Sequence, residues 1–484
     1  MSHLTGNNVS EFAYSAPGEI LEPNDVLEVQ QIIKSRSSGL KRPLRVVSSG
    51  YNWGLGSAST PGPVTDIISL YRLKSIREIA EDRGYAVIEA GVTQEQLSTA
   101  LLGSCCYLNC TASSAKTSVI GNIMDRGVGL HGQRTQDLLG IEVVLPDGRI
   151  GTVGWWPGVG SLAANPLGLG PSALHLFTQS NFGVVTAASV RLRPRPSRRK
   201  VITFTVEPGT IRTVVDHVRE LVRDGVLSGV TKIYDHESSA LYGAREARIA
   251  IHTCIDGPVP ITEAKLDVMW RTLADVDPQR VSDDFVTNDP LMSAVARLYD
   301  GDTRSSEIIV RNALNASTEE ADEHGSGWIF ALPFVPMRGD DVEKAIQIVR
   351  DGVTGTTIRA GTTVNVLDHD TVDLVVAISF HRDTQGTAAA HAAFDHIVAA
   401  LVTAGYVPYR VDTRHERADY ADAGRGLDAV IVEQVKRLLD PQGVLAPSRY
   451  MADSRIVDTE TSCKPERGVD GRTNATWKSG DDSR

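Results

Sequence analysis

Short apolar runs, each bounded by glycine or proline, alternate with helix-like patterns along the first 200 residues. Apolar residues at helical spacing predict helices over residues 20–34 and 93–102. Runs rich in valine and isoleucine predict strands in RPLRVVSSG, VTDIISL, YAVIEAGV, GIEVVLPDGRI and FGVVTAASVRLRP. Strands interleaved with helices are typical of α/β or α+β proteins.

A proline- and arginine-rich stretch at residues 194–200 is typical of a junction between domains. Beyond it, helices are predicted near residues 210–224 and 340–351. Further strands are predicted at VITFTVEP and VDLVVAISF, and further helices at AAFDHIVAALVTAG and LDAVIVEQVKRLLDP. The segment 451–484 is polar and lacks apolar periodicity, so we expect a disordered tail there.

Composition narrows the class of protein. The chain has 484 residues, more than the roughly 250–300 at which a single hydrophobic core stops growing. A net charge of −11 argues against a nucleic-acid partner. No apolar stretch is long enough for a membrane span, and the N-terminus has no secretory pattern, so we expect a cytoplasmic protein with no membrane partner.

Three of the five cysteines, Cys105, Cys106 and Cys110, lie close together in an apolar segment. Zinc sites usually combine two pairs of cysteine or histidine ligands, and the segment lacks a second pair. We therefore predict buried structural thiols and no metal site.

Three segments, residues 48–57, 117–129 and 177–186, combine glycines with small polar residues after strand-like runs. Glycine lets main-chain N–H groups approach an anion closely, and a diphosphate suits such a surface. One such loop alone is more typical of an ordinary turn, whereas three before a domain junction favour a dinucleotide site. The Rossmann pattern GxGxxG and the ATP-binding pattern GxxxxGK[ST] are both absent from the sequence.

The order of these segments resembles a known family. VSSGYNWGLGSAS, YAVIEAGVTQEQL, TSVIGNIMDRGVG, LGIEVVLPDGRI and LFTQSNFGVVT follow the order of the vanillyl-alcohol oxidase / p-cresol methylhydroxylase (PCMH-type) flavoproteins. The resemblance spans residues 17–196, is faint over 200–400, and resumes at GYVPYR and LDPQGVLAP. It implies an α+β fold: a PCMH-type FAD-binding domain over 1–200, an α+β cap over 201–404, and a segment over 405–450 that returns to the flavin.

The resemblance also implies which residues bind FAD. The first loop would hold the diphosphate, the second would line the pyrophosphate and flavin, and the third would meet the cofactor through main-chain groups. By position these residues are Ser49, Gly50, Tyr51, Asn52, Trp53, Gly54, Leu55, Gly56, Ser57, Ser118, Ile120, Gly121, Asn122, Met124, Asp125, Arg126, Gly129, Gly183 and Val185.

Family members that oxidise phenols hold the phenolate with two tyrosines and an arginine. Tyr409 and Arg410 match one tyrosine and the arginine, and we expect them to bind an anionic or polar head group; pairing of Arg410 with an acid on a surface strand is the alternative. Leu55 replaces the second tyrosine, and Ser113 replaces the acid near flavin N5. His131 or Ser113 could assist proton removal, although His131 could equally bond a carbonyl or the cofactor.

Many relatives attach FAD covalently through a histidine or tyrosine of the cap. Trp328 occupies that position here and offers no nucleophile, so we predict non-covalent FAD, with His324 as the fallback attachment residue.

The resulting hypothesis is an FAD-dependent oxidoreductase. It would oxidise a small organic alcohol, phenol or related secondary metabolite by hydride transfer to flavin N5, with reoxidation by O2. One alternative is a dehydrogenase that passes electrons to a carrier protein. Another is a flavin-fold binding protein without redox turnover, since fold does not dictate function. A homodimer is compatible with the resemblance.

Overall fold

A computed structural model describes Leu4, residues 7–37, 42–59, 64–243, 248–415 and 426–446, and Tyr450. The tail predicted over 451–484, together with Cys463, lies outside these described residues. None of the helices in the described ranges has the length and apolarity needed to cross a bilayer.

The first part of the chain builds a five-stranded antiparallel sheet with strand order β10-β9-β11-β5-β4, and a small parallel sheet with order β1-β3-β2. Its elements are β1 (Ile20–Leu21), α1 (Val26–Ser37), β2 (Leu44–Val47), β3 (Asp66–Ser69), β4 (Ile76–Ala80), β5 (Tyr85–Glu89), α2 (Gln94–Ala100), β6 (Cys106–Tyr107), α3 (Val119–Met124), β7 (Val128–Gly129), β8 (Gly132–Gln133), β9 (Leu138–Val144), β10 (Ile150–Gly154), β11 (Val184–Arg191) and β12 (Arg193–Pro194).

The second part builds an eight-stranded antiparallel sheet with order β16-β13-β15-β14-β18-β19-β17-β20. Its elements are β13 (Arg199–Val206), α4 (Ile211–Arg223), β14 (Ser228–Tyr234), α5 (His236–Leu241), β15 (Ile249–Asp256), α6 (Val259–Thr272), β16 (Gln279–Arg280), α7 (Asp283–Asn288), α8 (Pro290–Tyr299), α9 (Glu307–Leu314), α10 (Ala321–His324), β17 (Gly327–Pro336), α11 (Gly339–Val353), β18 (Arg359–Val366), β19 (Thr371–Phe380), α12 (Thr384–Thr403), β20 (Pro408–Arg410) and α13 (Gly426–Leu439).

One face of the eight-stranded sheet packs on helices α4, α6, α11 and α12. Alternate strand residues, such as Ile233, Ile251 and Leu374, join the apolar side chains of these helices in one core. Because side chains alternate across a strand, the residues between them point to the opposite face of the sheet. That opposite face turns toward the first part of the chain, where the candidate site lies.

The predicted secondary structure is largely confirmed, and the fold is the α+β class expected. The helix predicted over 20–34 begins later, at Val26, because Ile20–Leu21 pair with β3 as a strand. Asp25 caps the helix by accepting a hydrogen bond of 2.9 Å from the Glu28 N–H. Of the clustered cysteines, Cys106 and Cys110 are buried as expected, whereas Cys105 is exposed, which corrects the prediction for that thiol.

The chain end returns to the first part of the molecule. Leu44 of β2 donates to the Val444 carbonyl and accepts from the Ala446 N–H, each at 2.8 Å. Lys436 of α13 is buried, bonds the Asp440 carboxylate at 2.6 Å and donates to the Asn181 carbonyl at 3.0 Å. The C-terminal segment is thereby fixed beside the third glycine-containing loop.

Candidate functional site

The three glycine-containing loops border a single groove, together with β2 and the returning C-terminal segment. Most of the residues predicted to bind the cofactor line this groove: Ser49, Gly50, Tyr51, Asn52, Ser57, Ser118, Ile120, Gly121, Asn122, Met124, Asp125, Gly183 and Val185. Loops that are far apart in the sequence therefore meet at one surface.

Direct contacts hold the first and second loops together. The Ser118 N–H donates to Ser49 Oγ at 3.1 Å, and Ser118 Oγ caps α3 by accepting from the Gly121 N–H at 2.9 Å. A Cβ added at Gly121 would lie 2.1 Å from Ser48 Oγ. A side chain at this position would therefore force Ser48 to move where the two loops approach each other.

The third loop joins the second loop to strand β20. Gln179, which has a left-handed backbone with φ of 50°, donates its N–H to the Met124 carbonyl at 2.8 Å. Its side-chain amide donates to the Tyr409 carbonyl at 2.9 Å. Gln179 therefore links the groove to the strand that carries Tyr409 and Arg410.

The remaining residues predicted to bind the cofactor lie elsewhere. Trp53 and Leu55 line an adjoining cavity. Gly54 packs against β17: its carbonyl accepts from the Phe330 N–H at 2.9 Å, and an added Cβ would lie 2.3 Å from the Phe330 ring. Gly56 similarly abuts Thr413.

Arg126 and Gly129 also lie outside the lining of the groove. Arg126 donates from Nε to Thr178 Oγ1 at 3.2 Å, and a Cβ at Gly129 would collide with Asn109. These two residues shape the surroundings of the second loop.

The groove fits a polar ligand such as a dinucleotide. Thr117 Oγ1, Ser180 Oγ and Asn181 Oδ1 are buried, line the groove, and have no hydrogen-bond partner within the described chain. Buried polar atoms normally have partners, so their arrangement around an open groove suits a ligand that supplies them. The residues present therefore fit an FAD molecule.

A second cavity adjoins the groove on the side of the eight-stranded sheet. Tyr51, Asn52, Thr117, Asn122 and Arg410 line both, so the two spaces are continuous. The rest of the cavity wall is mainly aromatic and aliphatic, including Tyr234, Tyr242, Leu291, Met292, Trp328, Phe330 and Leu332. This composition suits a small organic molecule.

A row of polar side chains crosses the sheet face that borders the cavity. His252 of β15, Lys232 of β14, Asn365 of β18 and Asp373 of β19 occupy paired positions on four adjacent strands. All four are buried and line the cavity. Lys232 Nζ donates to Asn365 Oδ1 at 2.5 Å, and the Asn365 amide donates to Asp373 Oδ2 at 3.1 Å.

Burial shifts the pKa values of the three titratable residues in this row. Desolvation lowers the pKa of Lys232 to about 8 and the pKa of His252 to about 4, so His252 is neutral near pH 7. Desolvation also raises the pKa of Asp373 to about 6. Perturbed groups that line a cavity are typical of functional sites.

No motif in the sequence predicts this row. Each member stands alone between apolar or β-branched residues, as in Thr-Lys-Ile, Val-Asn-Val and Val-Asp-Leu. An isolated polar residue in an otherwise apolar strand was the available signal, but only the strand register brings the residues together.

Arg410 stands where the groove meets the cavity, and an acid already balances its charge. Its Nε donates to Asp125 Oδ2 at 3.1 Å, its Nη2 also bonds that oxygen, and the same Nη2 donates to Asn52 Oδ1 at 2.9 Å. Tyr450 donates its hydroxyl to Asp125 Oδ1 at 2.8 Å. Arg410 thus joins the eight-stranded sheet, of which β20 is an edge strand, to the first and second loops.

Tyr409 and Ser113 both line the cavity. The Tyr409 ring stacks on Phe334 with centroids 4.2 Å apart and planes 6° apart. Burial, followed by the nearby Asp373 carboxylate, raises the pKa of Tyr409, so the phenol keeps its proton. The tyrosine can therefore donate a hydrogen bond into the cavity.

His131 lies outside the lining of both the groove and the cavity. Its Nε2 bonds the Tyr299 carbonyl at 2.7 Å, and its ring packs edge-on against Tyr107 and Tyr299. Burial lowers its pKa to about 4, so it is neutral near pH 7. His131 thus bonds a main-chain carbonyl, which was the expected alternative to a role as a base.

The two cap residues considered for covalent attachment differ in position. Trp328 is buried and lines the cavity, and it has no nucleophilic atom. His324 is exposed at the end of α10, near Glu323, and lines neither space.

Comparison with known proteins matches residues 17–154 to the FAD binding domain family. The chain is 28% identical over 494 aligned positions to 1'-carboxy-chondrochloren decarboxylase from Chondromyces crocatus, covering 89% of this chain and 90% of that protein. It is 26% identical over 485 positions to the 4-cresol dehydrogenase [hydroxylating] flavoprotein subunit of Pseudomonas putida, covering 92% and 89%.

Residues 17–154 match the FAD binding domain family, and the chain's relatives and structural neighbours lie in the PCMH-type family of FAD-linked oxidoreductases. A solved structure of p-cresol methylhydroxylase with bound substrate superposes on this chain with a TM-score of 0.83 at 22% identity, covering 93% of this chain and 91% of the other. The 4-ethylphenol oxidase of Gulosibacter chungangensis gives 0.82 at 20% identity, covering 94% and 93%. The cofactor of the present chain is FAD.

Proposed function

We propose that this PCMH-type enzyme oxidises a small organic alcohol, phenol or related secondary metabolite in the cavity that adjoins the groove. The observation that carries the proposal is the continuity of the two spaces through Tyr51, Asn52, Thr117, Asn122 and Arg410. Relatives and neighbours whose names contain 4-cresol and 4-ethylphenol support a substrate of this size.

Bound FAD would supply a hydride acceptor at N5, and this chain's own residues would bind and orient the substrate. Asp125 accepts hydrogen bonds from Arg410 Nε at 3.1 Å and from Asn52 Nδ2 at 3.3 Å at the junction, which fixes the second loop against the eight-stranded sheet. Tyr409 would donate a hydrogen bond to the polar head of the substrate, and Ser113 would offer a second hydroxyl. The aromatic and aliphatic wall would exclude water.

The test of this proposal is anaerobic mixing of the FAD-loaded enzyme with a panel of phenols, benzylic alcohols and their carboxylated analogues. We expect at least one compound to bleach the flavin absorption band. Replacing Tyr409 by Phe should slow bleaching roughly 10- to 100-fold, because one hydrogen bond to a developing charge is lost. Tyr14→Phe, which changes an exposed hydroxyl, is the matched control. Absence of bleaching across the panel would contradict the proposal.

Reoxidation by O2 and non-covalent attachment complete the proposal. Stopped-flow mixing of the reduced enzyme with aerated buffer should restore the absorption band rapidly, whereas slow recovery would favour a dehydrogenase that uses an electron carrier.

Trp328 lacks a nucleophile and His324 lies away from the groove, so acid precipitation should release yellow FAD into the supernatant. Colour in the washed pellet would contradict non-covalent binding.

A further inference from the structure

Lys232 is a buried ammonium group with unused hydrogen-bonding capacity. The residue is 8% exposed and lies in the middle of an eight-stranded sheet, where β14 pairs with β15 and β18. Within the described chain its Nζ makes one hydrogen bond, to the neutral amide oxygen of Asn365. An ammonium group can donate three hydrogen bonds, so two donors remain beside the cavity.

The charge of Lys232 is also not balanced by direct contact. Asn365 stands between it and Asp373, and the described residues show no acid in an ion pair with Nζ. Arg410, the other strongly basic side chain of the cavity wall, is by contrast already paired with Asp125. Burying a charge is costly unless it is paired, so a site of this kind favours an anionic ligand.

We propose that Lys232 is the anion-binding residue of the cavity and that the substrate carries a carboxylate, which Nζ binds with its two remaining donors. Asn365 positions the ammonium group by accepting a hydrogen bond from Nζ. The charge of Asp373 depends on pH and changes the electrostatic potential at the ammonium group. This inference rests on the proposed function, because the same cavity must admit the substrate. It moves the anion-binding site away from Arg410, where the resemblance had placed it.

The ionisation of the groups favours a carboxylate over a phenolate. The pKa of a carboxylic acid lies well below that of Lys232, so at neutral pH the acid is ionised while the lysine is protonated. The two groups therefore form an ion pair without further proton transfer. A phenol has a pKa near 10, above that of Lys232, and keeps its proton beside this amine. The cavity therefore attracts the acid more strongly than the phenol.

Asp373 makes the site sensitive to pH. The groups that face Lys232 are Asn365 and Asp373 from β18 and β19, His252 from β15, and Tyr234 from its own strand. On its other side Asp373 faces Tyr409 and Arg410 of β20, both of which favour its ionised form. His252 and Tyr234 are neutral near pH 7. Above pH 6, Asp373 is ionised and opposes a second anion, so a carboxylate should bind more tightly once Asp373 is protonated.

The experiment is titration of the FAD-loaded enzyme with benzoate and, separately, with phenol. Binding is followed by perturbation of the flavin spectrum and by calorimetry, with no turnover required. At pH 7 we expect benzoate to bind at least roughly 10-fold more tightly than phenol. Lys232→Met should weaken benzoate binding roughly 10- to 100-fold and leave phenol binding unchanged. Lys344→Met, which changes an exposed lysine on α11, is the matched control.

A second variant has the opposite expected effect. Asp373→Asn keeps an acceptor for the Asn365 amide and removes the negative charge, so at pH 7, where Lys232 is still mostly protonated, it should tighten benzoate binding roughly 10-fold and abolish the dependence on pH near 6. Equal affinity for benzoate and phenol, or benzoate binding unaffected by both variants, would overturn the assignment. Such a result combined with bleaching by a neutral substrate would reject this inference and leave the proposed function intact. Benzoate binding that depends on Lys232, without bleaching by any compound of the panel, would support this inference and reject the proposed function.

Discussion

The groove and the adjoining cavity are built in different ways, although they share a boundary. The groove is formed by short loops, each continuous in the sequence, and it presents small residues and buried hydroxyl groups such as Thr117 and Ser180. The cavity is formed by single side chains from separate strands, and it presents a charged row on an aromatic wall. This difference predicts that variants of the groove change FAD affinity, whereas variants of the cavity change the response to substrate.

The largest expected effect is at the boundary, where Arg410 serves both regions. Arg410→Met removes the ion pair with Asp125 and should lower the free energy of unfolding by about 3 kcal/mol. Because the same pair fixes the second loop, FAD affinity should also fall. Thermal unfolding and flavin titration measure the two effects.

The matched control for this pair is the double variant Arg410→Met with Asp125→Asn, which removes both charges of the ion pair. It should recover at least half of the lost stability. If the single and double variants are equally destabilised, the ion pair does not join the two regions.

The next effect concerns Asp322, which connects the cap to the first loop. Its Oδ1 accepts hydrogen bonds from the Val9 N–H at 3.0 Å and Ser57 Oγ at 2.7 Å, and burial raises its pKa to about 6. A raised carboxyl pKa means that folding favours the protonated form, so stability is lost as the pH rises through 6.

Asp322→Asn keeps the acceptor and removes this cost. We expect the variant to be more stable than the parent by about 2 kcal/mol at pH 8 and by much less at pH 4. Unfolding curves at the two pH values measure the difference. A variant that loses stability at pH 8 would show that the ionised carboxylate is needed at this contact.

A smaller effect is expected from a groove variant that leaves the cavity alone. Gly121→Val places a side chain against Ser48 at the meeting point of two loops, and FAD affinity should fall roughly 10- to 100-fold. Gly151→Val is the control, since a Cβ there meets nothing within 4 Å. Equal flavin content in the two purified variants would contradict the role of close loop packing.

The smallest effect should come from Ser118→Ala. Ser118 Oγ caps α3 and donates to the Ala90 carbonyl at 2.7 Å, so its removal should cost about 1 kcal/mol of stability. FAD affinity should fall only a few-fold, and benzoate affinity should be unchanged. A change in benzoate affinity as large as that in FAD affinity would mean that the groove and the cavity are not energetically separate.

The sequence alone determined the α+β class, most helices and strands, and the loops of the groove. It could do so because hydrophobic periodicity and glycine-rich turns are local signals, and each loop lies in a single stretch of chain. The start of α1 was placed too early because the pairing of Ile20–Leu21 with β3 is a long-range contact.

Only the tertiary structure decided the composition of the cavity. Lys232, Asn365 and Asp373 lie on three strands, and the register of the sheet puts them in one row. The same is true of Arg410, whose partner Asp125 is 285 residues away in the chain, and of His131, whose partner is the Tyr299 carbonyl. Charge balance and burial depend on which side chains meet in space, and no local pattern of residues encodes those meetings.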